Sequence, residues 1–459
     1  MERRLYVLAA SAFIVAAVLG SAWITGQFTT PGVDKTHGYV TELAARDQPW
    51  RRLFRVTDAL SGVACLLGVA LMPRVEREWP GWLALSSYAL LTLAAAVFPL
   101  DCAALSDPAC GRQGLSPGHH AHLLAGALAI GAVVVAMVLL AARWRTRTAW
   151  LLTWLTMLAT ALTGAAIAAG RGAGLAHRAQ LTLIAVWLVY VALRLLVTDR
   201  QYSGYGTPHV VEEGDGPAVL ITAGPAGAWF HWDAVAGELA GSRRVIRFDR
   251  PGLGLSPRSP APPTLYAEVA RLAALAPAHP EQVTVVAHGV SCWHAEAFAR
   301  LHPLCVAKLV LIDPACPDGR RPHAAARAAG RWLPAFGGTW AATALARLAG
   351  PAAHRRLAGV PDPLGIYRMG KVPTAVAGEW LARRDMAADL RRIREDKPFP
   401  DVPVTVLCAG DRAGCAERLA GDLGGKLIRL PHVARQVHIE DPRAIVDAVL
   451  AVPEACDNG

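Results

Sequence analysis

QVTVVAHGVSCWHAEAFAR, residues Gln282–Arg300, is the stretch whose reading decides the fold of this 459-residue chain. Val283–Val286 is a short β-branched apolar run, Ala287–Ser291 a turn of small residues, and the remainder has helical patterning. A strand that enters a helix through so tight a turn lifts its central residue above the sheet in a strained conformation. In catalytic versions of the device that residue is a serine whose oxygen is presented to substrate. Here Ala287 and Ser291 are the small flanks, His288 and Val290 sit beside the centre, and the centre is Gly289. Glycine carries no nucleophile, yet it tolerates the positive φ that the turn demands.

Working outward, the same strand-then-loop pattern repeats. Pro217–Thr222 reads as a strand ending in AGPAG at Ala223–Gly227, and Arg244–Phe248 as a strand ending in DRPGLGLS at Asp249–Ser256. A Gly/Pro-rich turn after a central strand is where backbone N–H groups hold a developing oxyanion in acyl-transfer sites, which makes Ala223, Gly224 and Pro225 candidates for that loop. A helix is expected at Leu265–Leu275, and Lys308–Ile312 is a strand closed by Asp313 and Pro314. From about Pro317 to Asp396 the chain turns helical and rich in Arg and Ala, as a cap inserted at about 317–398 would. Strands resume at Val402–Cys408 and Lys426–Leu430 before a closing helix at Arg443–Ala451. Strands alternating with helices predict a mostly parallel, doubly wound α/β sheet with its crevice at the strand ends.

The first 200 residues obey a different solvent. Apolar blocks at Leu5–Gly26, Leu53–Met72, Trp79–Leu100, Ala121–Ala142, Thr148–Gly170 and Gln180–Val197 each approach the roughly 20 residues that cross a bilayer. The expectation is a bundle of about six transmembrane helices over 1–200, followed by the α/β domain over 201–459. The first block is too long for a secretory signal, lacks a cleavage site of small residues, and is followed by further spans. Arg3, Arg4, Arg74, Arg77, Arg143, Arg145, Arg147 and Arg200 fall on one side, which the positive-inside rule makes cytoplasmic. Lys35, Arg46, Arg51 and Arg52 argue the other way. Both termini are then expected to be cytoplasmic, in a multi-pass protein whose first partner is the lipid bilayer.

Asp101, His119, His120, His122 and His177 collect near helix ends on the opposite face. Such a set can bind a metal or relay protons. No HxxxH or HExxH spacing fixes a coordination geometry on one helix, so these residues read first as loop and interface groups, with no metal assigned. The net charge of +10 comes from scattered arginines without zinc spacing or aromatic-interleaved basic runs, which excludes a nucleic-acid partner. Of nine cysteines, Cys102 and Cys110 sit close together in a loop and could pair if it faces an oxidising compartment; the rest read as dispersed core or incidental residues. No cofactor is indicated, and the oligomeric state stays open.

Two resemblances follow. The first 200 residues resemble the DUF998 family of six-span bacterial membrane proteins, through the span spacing, THGYVTEL at Thr36–Leu43, RVTDALSG at Arg55–Gly62 and FPLDC at Phe98–Cys102. That family implies no reaction. Residues 208 to 455 resemble the α/β-hydrolases, through TAGPAG, DRPGLGLS, AHGVSCWHAEAFARLHP, VPVTVLCAGD and QVHIEDP in the family's order. The resemblance implies a serine nucleophile, a histidine base and an acid. The serine position falls on Gly289, and the tail His438–Pro442 puts the histidine on Arg435, which stays protonated and cannot serve as a base. The acid survives as Asp411 or Asp313.

The expected role is therefore binding of a small apolar, lipid-like or anionic molecule in a capped pocket bounded by Ala223, Gly224, Pro225, His288, Val290 and Arg435. One alternative is an active serine hydrolase on membrane-derived substrates, with Ser291 as nucleophile and His288, His294 or His432 as base. Another places the function on the outer-face Asp/His set.

Overall fold

A computed structural model describes residues 2–74, 76–107, 109–110, 114–197, 206–259, 261–317, 323–410, 413–434 and 436–451. The chain forms two compact units, 1–200 and 201–459.

Six helical segments of the first unit are long and apolar enough to cross a membrane: Arg3–Thr29, Arg51–Leu71, Trp79–Val97, Pro117–Trp144, Arg147–Ala169 and Ala173–Val197. The first comprises α1 (Glu2–Gly20) and α2 (Trp23–Thr29) in succession, and the others are α3 to α7 in the order given. This is a multi-pass membrane domain. With no water in the hydrocarbon core, polar side chains must find partners inside the bundle. Ser61 on α3 donates to the Ala16 carbonyl of α1 (2.8 Å), and the buried Glu78 carboxylate accepts from the indoles of Trp82 and Trp144 (3.2 Å each), which ties α4 to α5. The last span begins at Ala173 rather than Gln180, so His177 lies inside the helix. The hydropathy pattern hides this start because Arg178 interrupts it. The structure absorbs that charge by burying Arg178 and aiming it at the Lys35 and Gly38 carbonyls (2.9 and 3.1 Å).

The second unit is built on seven strands in the order β1-β3-β2-β4-β5-β6-β7: β1 (Val210–Glu213), β2 (Ala218–Thr222), β3 (Arg244–Phe248), β4 (Val283–His288), β5 (Val306–Ile312), β6 (Val404–Ala409) and β7 (Lys426–Leu430). Only β1 runs antiparallel, against β3; the other pairings are parallel. Central strands of such a sheet are covered on both faces, which is why β2 and β6 are apolar and buried throughout. Along β4, Val283, Val285 and Ala287 enter one core and Val286 the other, the two-residue period of a pleated strand. The first face is covered by α9 (Leu265–Leu275) and α10 (Ser291–Leu301), the second by α8 (Asp233–Leu239) and α16 (Pro442–Leu450). Each buried Val or Leu contributes about 1.5–3 kcal/mol of transfer free energy.

Between β5 and β6 lie α11 (Ala324–Phe336), α12 (Trp340–Ala358) and α13 (Lys371–Asp396). The cap reading of this whole insertion needs correction at its end. Met386, Ala387, Leu390 and Ile393 of α13 are part of the sheet's own core, and Arg394 forms a two-bond ion pair with the buried Glu296 of α10 (2.8 and 2.7 Å). The C-terminal half of α13 is thus a structural layer helix; its apolar stripe is masked in sequence by RRIRED. After β6 come α14 (Ala413–Asp422) and α15 (Val437–Glu440).

Cys102 and Cys110 stand with Cα atoms 5.9 Å apart, within disulfide range. Cys316 and Cys415, expected to be dispersed, are also brought together, at 5.6 Å. They lie 99 residues apart in sequence and meet because β5 and β6 are neighbours in the sheet.

Candidate functional site

The turn after β4 has the geometry its small residues require. β4 ends at His288, α10 starts at Ser291, and Gly289 at the tip has φ +63°. Its N–H donates to the Ile312 carbonyl (2.9 Å), and its carbonyl accepts from Ala315 N–H (3.2 Å), so the end of β5 and the loop after it fix the tip. A Cβ placed on Gly289 would lie 2.9 Å from Cδ of Pro225. The Ala223–Gly227 loop therefore faces the elbow tip with a proline ring, which has no N–H to donate.

That loop is tightly held. Arg250, in the turn after β3, is buried and all five of its N–H bonds are used. Nε and one Nη2 hydrogen reach the two carboxylate oxygens of Glu379 on α13 (2.6 and 3.0 Å). The others reach the Ala223 carbonyl, the Gly224 carbonyl (2.9 Å) and Ser291 Oγ (3.1 Å). The neighbouring Asp249 accepts from His209 and from the Trp229 and Leu255 N–H groups, each at 2.9 Å, while burial pushes its carboxyl above the usual range. Ala226 is held at φ +57° with Tyr367 Oη donating to its carbonyl (2.5 Å).

Ser291 is fully buried and donates its hydroxyl proton to the Ala223 carbonyl (2.7 Å) while accepting from Arg250. Its proton is committed to the backbone, not to an imidazole. Of the histidines expected beside it, His432 pairs with Asp441 at an exposed position (2.8 Å) and His294 is buried on α10 with no hydrogen-bond partner among the described residues. Val290 packs against the sheet core. Asp313 adopts φ +43° and accepts from Ala409 N–H (2.7 Å). Asp411 and Arg435 lie outside the described residues.

Over the elbow and the Gly224–Gly227 loop lies a cavity of about 450 Å³, roofed by α12 and the N-terminal half of α13. Its lining is mainly apolar, with Tyr367, Gln436 and a group of histidines that the sequence does not bring together: His231 after β2, His288 at the elbow, His354 on α12 and His438 on α15. His288 and His438 have ring centroids 5.0 Å apart, and His438 stacks on Trp232 at 4.4 Å. A Cβ on Gly224 would overlap the His288 ring, so glycine there is what admits the imidazole. Burial pushes His288 down to about 4, helped by the Arg250 charge, and His231 to about 4, helped by His354; burial holds His354 below the ordinary value and His438 well below it. All four are neutral at pH 7.

Neutrality fixes a proton pattern. His231 Nδ1 accepts from Ala228 N–H (3.3 Å), so its proton is on Nε2 and donates to His354 Nε2 (3.0 Å). Those two imidazoles satisfy each other across core and cap and present no shared lone pairs to a cation. Among the described residues no group of three or more His, Cys, Asp or Glu side chains is arranged to hold a metal ion. His231 and His354 could not be paired from sequence, because nothing there sets the cap's register against the sheet; the one visible signal was WFHW following the AGPAG loop.

In the membrane unit the expected Asp/His set is drawn into loop anchoring. Asp101 accepts from the Ser116 N–H (2.7 Å), which holds its carboxyl below the usual range, and from Ser116 Oγ (2.9 Å). His119 Nδ1 accepts from Asp101 N–H (3.2 Å), and His122 Nδ1 lies 2.8 Å from the Ala95 and Phe98 carbonyls. His177 Nδ1 accepts from Val40 N–H (3.4 Å), on the far side of the loop.

An apolar six-span unit followed by a sheet of this order, elbow and cap defines a membrane protein with an α/β-hydrolase-type domain. The family model described as the alpha/beta hydrolase family matches residues 218–448, half of the chain, and the chain belongs to that family. A second model, described as a protein of unknown function (DUF998), matches residues 10–194. Similar solved structures include Cfl2 from Burkholderia cenocepacia, at 23% identity over 53% of this chain and 90% of that one with a TM-score of 0.41. An alpha/beta hydrolase fold protein from Burkholderia ambifaria is 24% identical over 52% and 92%, with a TM-score of 0.39. The enol-lactonase from Burkholderia xenovorans is 20% identical over 53% and 94%, also at 0.39. No curated protein matches the chain.

Proposed function

We propose that the hydrolase-type unit is a receptor that holds a small apolar ligand in the capped cavity without turning it over. The observation that carries this reading is the elbow tip: Gly289 at φ +63° supplies no nucleophile, and the group beside it is the Pro225 ring. A substitute nucleophile must have a free oxygen and a base, whereas Ser291 is locked to Ala223 and Arg250. The cavity volume falls in the range of ligand pockets, roughly 300–1,000 Å³, and its walls are mainly aliphatic. The membrane unit then holds the receptor at the bilayer, with both termini cytoplasmic and the Cys102–Cys110 loop on the outer face.

The test uses the full chain in nanodiscs. Saturable binding of a medium-chain probe, with no hydrolysis of p-nitrophenyl butyrate above buffer, is the expected result. Ester turnover abolished by Ser291→Ala would overturn it in favour of a serine hydrolase.

A further inference from the structure

The polar groups around the cavity are accounted for one by one. Tyr367 donates to Ala226, Gln436 donates its amide N–H to the Leu357 carbonyl (2.7 Å), and His231 and His354 satisfy each other. His288 and His438 are different. They sit side by side at the cavity floor, neither ring has a hydrogen-bond partner among the described residues, and His438 is 97% buried with its Nδ1 unpartnered. A buried polar group without a partner costs roughly 1–3 kcal/mol, so the Nδ1 of His438, with the half-buried His288 ring beside it, is stabilised by a ligand that supplies the missing bond.

Resting on the receptor reading above, we propose that His288 and His438 together bind the head group of the ligand, and that this head is uncharged and carries both a hydrogen-bond donor and an acceptor, as a primary amide does, on a single medium-length aliphatic body. A neutral imidazole offers one N–H and one lone pair, so two of them complement a head of mixed character. No Asp, Glu, Lys or Arg among the described residues lines the cavity, and a carboxylate there would have to leave water for neutral walls. Protonating the imidazoles to receive it is opposed by the burial that pushes His288 to about 4. The body is set by the roof, where Leu357, Val372, Val376 and Ala377 surround a volume suited to one chain rather than two.

The experiment titrates decanamide, decanoate and decane into the full chain in phosphatidylcholine nanodiscs at pH 7.5. Binding is read from the fluorescence of Trp380 at the cavity wall, with a Trp380→Phe control. Leu357→Trp, which fills the cavity, gives the baseline for partition into lipid. Decanamide is expected to bind at least about tenfold more tightly than decanoate, and His288→Leu or His438→Phe to weaken decanamide binding about tenfold each while decane binding is kept or strengthened. A cooperative melting transition of each variant, read by scanning fluorimetry, shows that it is folded, and the Phe ring keeps the stack on Trp232. Decanoate binding as tightly as decanamide, or better, overturns the head-group assignment and leaves the receptor reading standing. Should no probe bind above the Leu357→Trp baseline, the receptor reading itself fails.

Discussion

Gly289→Ser is the most searching single change, because it restores the side chain that the family's chemistry requires at the place where this fold resists it. A non-glycine residue at φ +63° costs about 1–2 kcal/mol. Its Cβ would also stand 2.9 Å from Pro225 Cδ, closer than carbon atoms pack, and the loop cannot simply retreat because Arg250 holds the carbonyls of Ala223 and Gly224. Overpacking of this kind adds about 1–3 kcal/mol. The variant should lose roughly 2–5 kcal/mol, which for a unit of this size lowers its melting transition by about 4–20 °C. Scanning fluorimetry of the detergent-solubilised full chain reads the shift, and Pro225→Ala in the same chain should recover the contact part and leave the φ part. Neither variant is expected to hydrolyse p-nitrophenyl butyrate. A Gly289→Ser protein that melts with the wild type would show that the tip is not shaped as described. One that turns over ester would refute the reasoning more deeply, since a base and an oxyanion site would then already be in place.

Other consequences are open to measurement. Arg250→Met leaves Glu379 unpaired where the cap meets the loop and should cost about 3–5 kcal/mol, while Arg250→Met with Glu379→Met should cost less; equal melting of the two would argue that the pair is not coupled. Ser291→Ala removes two buried hydrogen bonds, the one donated to Ala223 and the one accepted from Arg250, at about 2–4 kcal/mol together, with no change in ester turnover. His231 and His288 have folded values near 4 against an unfolded 6.5, so the unfolded chain takes up the protons first; stability is full above pH 6.5 and falls as pH drops toward 4, by up to about 3 kcal/mol for each. A melting curve flat from pH 7 to 4 contradicts this, and His288→Leu should reduce the slope.

The sheet was legible because β-branched runs such as Val283–Val286 end in Gly/Pro turns, and the spans because lipid demands long apolar blocks. Local chemistry also named the elbow: Gly289, flanked by Ala287 and Ser291, is what a tip at positive φ requires. That Pro225 has no N–H is legible in the sequence, yet its bearing depends on its ring standing 2.9 Å from where a Cβ on Gly289 would lie. The histidine group was not legible. His231, His288, His354 and His438 come from four separate elements, and their meeting depends on how α12 docks over the sheet. The end of α13 was misread because arginines on its solvent side outnumber the Leu390 and Ile393 that bury it.

Arg250 has one further consequence, for the cavity wall. With every N–H engaged, it rivets the N-terminal half of α13 to the loop beneath the cavity, and that wall cannot swing without exposing a buried ion pair. α12 meets the cavity through His354, which bonds His231 and stacks on Tyr367, and through the Leu357 carbonyl, which accepts from Gln436. Anything held in the cavity on the proposed reading is therefore backed by a wall that an ion pair fixes to the Gly224–Gly227 loop.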